Sequence, residues 1–181
     1  MAKQQVMRSL GAILAIDAVG YSRQMARDEE ATLETLQAYR AAIAGLVARH
    51  GGRVFGIAGD SEMAVLPHAL EALACARDIE QAIEALNVKL PAERRMPLRL
   101  GIHFGKVLIE GAGVYGDDVN VAARVEGLAG KGGICLSGAA FDRVNGRLPL
   151  GFEAYGPQKF KNMDRPVRVY RLRDEPLMVG R

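Results

Sequence analysis

The sequence predicts a mixed α/β fold of the α+β kind: a ferredoxin-like βαββαβ core with an additional helix and C-terminal antiparallel strands. Three observations carry this. An uncharged run, "LGAILAI", is followed by an amphipathic helical pattern. Two short apolar runs then flank a Gly-Asp-Ser turn in "RVFGIAGDSEMAVL". A second amphipathic pattern follows, and after it another alternating stretch, "LRLGIHFGKVLIEG".

Each element has its own signal. Residues 10–16 carry no charge until Asp17 and read as a buried central strand. "DAVGYS" turns the chain, and Gly20 permits an unusual backbone angle there. A helix is under way by the acidic "DEE" at 28–30, whose charges suit a helix N-terminus. Leu33, Leu36, Ile43, Leu46 and Val47 form its apolar stripe, and "HGG" stops it. Residues 53–66 form a β-hairpin. Pro67 ends it and opens a second helix with Leu70, Leu73, Ala76, Ile79, Ile83 and Leu86 on one face. "LPAERRMP" is a polar loop. "LRLGIHFGKVLIEG" reads as a strand pair folded at Gly105-Lys106. "YGDDVNVAARVEGLAG" is a third helix closing at Gly130, and "GGICLSG" a short buried strand. A short helix spans about 141–144. "GFEAYGPQKFKN" and "RPVRVYRL" make a final antiparallel pair, then a frayed tail. No repeat, linker or low-complexity tract interrupts the chain, so residues 1–181 read as one domain with a core at about 10–172 and frayed termini.

Composition narrows the function. A chain of 181 residues, 49% apolar and 25% charged, can bury a sizeable core. The net charge of +3 is small, and no basic block is interleaved with aromatics. Together with the absence of the aromatic-rich sheet motif of RNA-binding modules of this core, this argues against a nucleic-acid partner. Cys75 and Cys135 sit apart in apolar runs and read as reduced core residues. The N-terminal apolar run is too short to span a bilayer and lacks a cleavage signature. No membrane contact is expected from this chain, and a cytoplasmic location is.

Chemistry points to one end of the sheet. Asp17 ends the first strand and Asp60 sits at the hairpin bend; a βαββ arrangement lets the two carboxylates meet. Two hard oxygen ligands suit Mg²⁺ or Mn²⁺ with bound phosphate, although an Asp at a strand end is also a common turn former. Val19, Gly20, Tyr21 and Ser22 lead into a helix whose free N–H groups suit a triphosphate. Asn120 and Arg124 are four apart and share a helix face, either as a ribose and phosphate contact or as a solvated face. Lys161, in the alternating run Lys159-Phe160-Lys161, either reaches a phosphate or protects an edge strand. His103 alternates with core residues and reads as a sheet-face side chain, and the "GAG" at 111–113 as a flexible loop.

Together the stretches "AILAIDAVGYSRQM", "HGGRVFGIAGDSEMAV", "LRLGIHFGKVLIEG", "VYGDDVNVAARVEGLA" and "FKNMDRPVRVYRL" resemble the catalytic domain of class III nucleotide cyclases, in particular the rhizobial-type bacterial members. The resemblance covers roughly residues 10–172. It implies conversion of a purine nucleoside triphosphate, ATP favoured and GTP the alternative, to a 3′,5′-cyclic nucleotide and pyrophosphate. It implies two divalent metal ions, Mg²⁺ or Mn²⁺, on Asp17, Asp60 and the backbone carbonyl of Ala18. Asn120 would orient the ribose, Arg124 would stabilise the transition state, and Lys161 would hold the terminal phosphates. A homodimer is implied, with the aspartates from one chain and the Asn/Arg pair from the other.

The chain departs from the family where the base is read. Gly56 stands where adenylyl cyclases usually carry a lysine, and Gly113 where they carry Asp or Thr. Guanylyl cyclases usually have Glu and Cys there, so neither pattern fits and altered base selectivity is expected. Glu62 is a second departure, at a position the family generally fills with a small or apolar residue. It shares parity with Asp60, so it would repel phosphate, bind metal, contact a guanine edge, or stand as an exposed edge charge. The alternative reading of the whole is a catalytically silent module that binds nucleotide or dimerises.

Overall fold

The computed structural model describes residues 5–176. The elements are β1 (Met7–Ala18), α1 (Tyr21–Arg27), α2 (Glu29–Arg49), β2 (Arg53–Ala58), β3 (Ser61–Leu66), α3 (Ala69–Asn87), β4 (Leu98–Glu110), β5 (Gly113–Tyr115), α4 (Asp117–Gly127), β6 (Gly133–Ser137), α5 (Gly138–Val144), β7 (Leu150–Gln158) and β8 (Val167–Pro176). The sheet runs β2-β3-β1-β4-β6-β8-β7, with β5 on β4. The antiparallel set β2-β3-β1-β4 is the ferredoxin-like core; β6 joins parallel to β4, and β8 and β7 follow antiparallel.

Alternation along β1 assigns the two faces. Ala12, Leu14, Ile16 and Ala18 point into the main core with α2, α3 and α5, whereas Ile13 and Ala15 point to the side covered by α4. By the same parity Asp17 lies on the α4 side. Cys75 and Cys135 are buried and free, as expected. Asp28 is the N-cap of α2, its side chain accepting from the Ala31 N–H at 3.0 Å, and Glu29 and Glu30 occupy the first turn.

The strand pair expected at 98–111 is a single strand instead. β4 pairs continuously with β1 from Leu98↔Ala18 to Ile109↔Met7, straight through Gly105-Lys106, and the reversal comes at Gly111, where φ is +58°. Gly105 is there for proximity: a Cβ on it would lie 2.4 Å from the Asp118 carboxylate. The "GAG" stretch is thus a tight turn whose last glycine already belongs to β5.

His50 ties α2 to α3. It closes α2, with Nδ1 2.8 Å from Glu71 Oε2 and Nε2 2.8 Å from Asp78 Oδ2. The Glu71 contact foremost, and Asp78 with it, outweighs partial burial and raises the imidazole pKa. A raised histidine pKa stabilises the fold below the unfolded value near ~6.5, and that contribution disappears as pH rises through the folded value. His50→Gln is therefore expected to cost up to about 1 kcal/mol at pH 5.5, limited by the half-exposed carboxylates, and close to nothing at pH 8.5. Urea unfolding at the two pH values checks this; an equal loss at both would refute it.

Among the described residues, no helix is long and apolar enough to cross a membrane.

Candidate active site

The β1–β3 pairing places the β2–β3 turn against the C-terminal end of β1, so Asp60 and Asp17 meet. Asp60 Oδ2 accepts from the Ala18 N–H at 3.2 Å and Ser61 Oγ donates to Asp17 Oδ1 at 3.2 Å, so the two carboxyl groups adjoin. Two carboxylates this close cannot both ionise freely. Burial, then the Asp17 hydrogen bond and charge, pushes Asp60 up to about 6. Burial alone would raise Asp17 too, but hydrogen bonds from Asp60, Arg99 and Ser61 and the Arg99 charge hold it below the ordinary carboxylate value.

This donor set fits a hard cation. No cluster of three or more His, Cys, Asp or Glu side chains that could hold a metal forms among the described residues. A cation at the aspartate pair would thus fill its remaining positions from backbone carbonyl, water and phosphate, as Mg²⁺ does when it binds a nucleotide. Next to the pair, Gly20 adopts φ +82° and turns the chain into α1. The N–H groups of Tyr21 and Ser22, in the first turn of α1, have no intrahelical acceptor. The Val19 N–H is not available, because it donates to the Pro97 carbonyl at 2.8 Å.

Asn120 and Arg124 lie on the exposed side of α4, while Val121, Ala122 and Val125 face the sheet. Neither makes a side-chain hydrogen bond or ion pair among the described residues. Lys161 is not in a strand: β7 ends at Gln158, and Lys161 occupies the following turn beside Asn162, at φ +65°. Phe160 and Met163 pack against the apolar cluster of Val121, Val125, Ala129, Cys135 and Val169, which accounts for the apolar residue inside the lysine run. The aspartates thus lie on the sheet side of α4, and Asn120 and Arg124 on its outer side. A cavity of about 840 Å³ beneath α3, lined by Glu80, Arg95 and Arg171 among others, includes none of these residues.

The two base-position glycines differ. A Cβ on Gly56 would have only the Met63 Cβ near it, at 3.9 Å, so that space is open. A Cβ on Gly113 would fall 2.5 Å from the Tyr115 hydroxyl and 2.6 Å from its ring, because Tyr115 lies over the glycine. Glu62 is not an exposed edge charge. It pairs with Ile16 and so points to the α2 side, 4% exposed, with Oε1 3.4 Å from Arg40 Nε. Burial raises its pKa despite Arg40. Arg40 also donates to the Gly59 carbonyl, so the pair braces the turn that carries Asp60.

Sequence reasoning missed Arg99 and Glu126. Arg99, opposite Asp17 on β4, donates to the Asp17 carboxylate, and its Nε lies 3.1 Å from Glu126 Oε1 on α4. Burial foremost, then the charge of Asp17, pushes Glu126 up to about 7 despite Arg99. The signal was present: Glu126 falls on the inward stripe of α4, four residues after Ala122, where a charge needs a partner. His103 is a brace, as its alternation suggested. Nδ1 lies 2.7 Å from Ser137 Oγ and Nε2 2.8 Å from Asp118 Oδ1. Ser137 is fully buried and caps α5 through the Ala140 N–H at 3.3 Å, so this Ser-His-Asp set has no nucleophile to offer.

The sequence matches the family described as "Adenylate and Guanylate cyclase catalytic domain" over residues 11–172. It is 42% identical over 171 residues to putative adenylate cyclase 3 of Rhizobium meliloti, covering 94% of this chain but 29% of that protein. The chain thus spans under a third of that curated relative. The crystal structure of an adenylate/guanylate cyclase/hydrolase from Silicibacter pomeroyi superposes with a TM-score of 0.85 at 37% identity, covering 93% of this chain and 98% of that one. The adenylyl cyclase CyaB from P. aeruginosa shares the fold, with a TM-score of 0.84 at 19% identity over 97% of this chain and all of that one.

Proposed function

Because the chain belongs to the adenylate and guanylate cyclase catalytic domain family, we propose that it is the catalytic unit of a nucleotide cyclase acting as a homodimer with relaxed base selectivity. The observation that carries this is the division of the chemistry: carboxylates paired on one side of α4, and an unpartnered amide and guanidinium on the other. Among the described residues the outer group has no side-chain partner, and a second copy supplies the missing half of each site.

In this reading Asp17 and Asp60, with the Ala18 carbonyl, hold two divalent cations, Mg²⁺ or Mn²⁺. When bound, these acidify the ribose 3′-hydroxyl and neutralise triphosphate charge. The backbone around Gly20, Tyr21 and Ser22 cradles phosphate. From the other chain Asn120 orients the ribose, Lys161 holds the terminal phosphates, and Arg124 faces the charge that develops at the α-phosphate. The 3′-oxygen bonds to the α-phosphorus, the bond to the β-phosphate oxygen breaks, and pyrophosphate leaves with that electron pair. The 3′-hydroxyl proton passes to solvent. The residues act by positioning and by charge.

The test is a product assay by mass, with concentrated chain, ATP or GTP, and Mn²⁺ or Mg²⁺. Cyclic nucleotide is the expected result. A dimer that binds nucleotide and yields no product would establish the silent module instead. Base selectivity has its own prediction. With Gly at 56 and 113, two to four hydrogen bonds to the base are missing, so ATP and GTP turnover should differ by less than about tenfold. Gly56→Lys with Gly113→Asp should shift the ATP/GTP ratio of kcat/KM at least roughly tenfold toward ATP. An unchanged ratio would exclude these positions from base reading. The Gly113 substitution also requires the Tyr115 ring to swing away.

A further inference from the structure

Arg99 stands between the carboxylates of Asp17 and Glu126. Its contacts to them are unequal. Nη2 donates a hydrogen bond to Asp17, whereas Nε, though 3.1 Å from Glu126 Oε1, makes no hydrogen bond, and neither does that oxygen. All three side chains are largely enclosed, with exposures of 15% for Asp17, 30% for Arg99 and 13% for Glu126. An unsatisfied N–H against an unsatisfied carboxylate oxygen at contact distance is a bond that a small rotation completes.

We propose that Arg99 is an internal counter-cation that competes with divalent metal for Asp17, and that Glu126 is the group that receives it when metal binds. This rests on Asp17 and Asp60 being the metal aspartates. Without metal, the paired aspartates need a positive charge, and the guanidinium supplies it. A dication at Asp17 places like charge within a few ångströms of Arg99 and turns that attraction into repulsion. Stranding a partly buried guanidinium would be costly. Glu126 removes that cost, because it already touches the guanidinium at its other nitrogen. Glu126 thus tunes metal affinity without being a ligand, acting through Arg99 as a positioning residue.

The two charges therefore have opposite effects, read from Mn²⁺ binding to the full chain without nucleotide, by the paramagnetic resonance of free Mn²⁺ at fixed pH and ionic strength. Arg99→Gln should tighten binding roughly tenfold, and Glu126→Gln should weaken it by a similar factor. On the Arg99→Gln background, Glu126→Gln should have almost no effect. If it weakens binding equally on both backgrounds, Glu126 acts through space and the proposal is overturned. Asp17→Ala separates the layers. If the wild type does not bind, or Asp17→Ala binds equally well, the metal reading fails and takes the proposal with it. If Asp17→Ala abolishes binding but Arg99→Gln does not tighten it, the proposal alone fails. Should Arg99→Gln not fold, Arg99→Lys keeps the charge but has no second nitrogen to hand to Glu126. Glu126→Gln should lose most of its effect there too, and an undiminished effect refutes the transfer.

Discussion

Asp17→Ala is expected to lower cyclic nucleotide formation by about a thousandfold or more, and Arg124→Ala by roughly a hundred- to a thousandfold. Mixing the two inactive proteins should bring activity back. Asp17 lies on the sheet side of α4 and Arg124 on its outer side, so in the proposed homodimer a site that needs both draws them from different chains. In a two-fold dimer each chain contributes one half to each of two sites. An Asp17→Ala chain paired with an Arg124→Ala chain concentrates both defects in one site and leaves the other intact. With random exchange, half the dimers are mixed and half their sites work, so about a quarter of wild-type activity returns. The measurement is product formation after co-incubation above the dimer dissociation constant, with sedimentation confirming the dimer. A mixture that dimerises yet stays inactive would place both groups in one chain's site and overturn the proposed division.

Much of the fold was legible because its signals are local. An uncharged run ending at Asp17, a Gly-Asp-Ser bend and apolar stripes at helical spacing each announce one element, and the βαββαβ order fixes which strands adjoin. The convergence of Asp17 and Asp60 follows from that order, since a hairpin pairing with the first strand brings its bend to that strand's end. The misreadings share a cause. In "LRLGIHFGKVLIEG" the alternation and the Gly105-Lys106 pair suggest a folded strand pair, but the polar and glycine positions have another task. They form the surface on which α4 docks: Arg99 meets Glu126, Gly101 the α4 backbone, and His103 and Gly105 meet Asp118. Period-two alternation shows that a strand has two faces; it does not show whether the polar face meets water or a helix. Glu62 misled in the same way. Parity with Asp60 suggested a shared side, but Asp60 sits in a turn where parity does not hold, and Glu62 turned inward to Arg40. Lys161 looked like a strand residue because the alternation continues past the end of β7, into a turn held by Phe160.

The docking of α4 on β4 yields the largest expected effect on stability. Gly101→Ala would place a Cβ 2.3 Å from the backbone nitrogen of Glu126 and 2.6 Å from its Cα. Those are backbone atoms in the last turns of α4, so no rotamer change relieves the clash and the helix itself must lift. Overpacking that only backbone movement can relieve costs about 3 kcal/mol or more, a large share of a typical domain's stability. For a chain of this size it corresponds to a fall in Tm of roughly 6–12 °C. Lifting α4 also draws Glu126 away from Arg99 and Asp118 away from His103, so the damage spreads to the site. Gly127→Ala is the matched control. It lies on the same helix, where a Cβ would meet nothing within 4 Å, and removing helical glycine should be neutral or stabilising by up to about 1 kcal/mol. Thermal unfolding of the two variants beside the wild type reads the difference directly. If Gly101→Ala unfolds within about 1 °C of the wild type, α4 does not sit this close to β4, and the close approach that sets Glu126 against Arg99 is wrong.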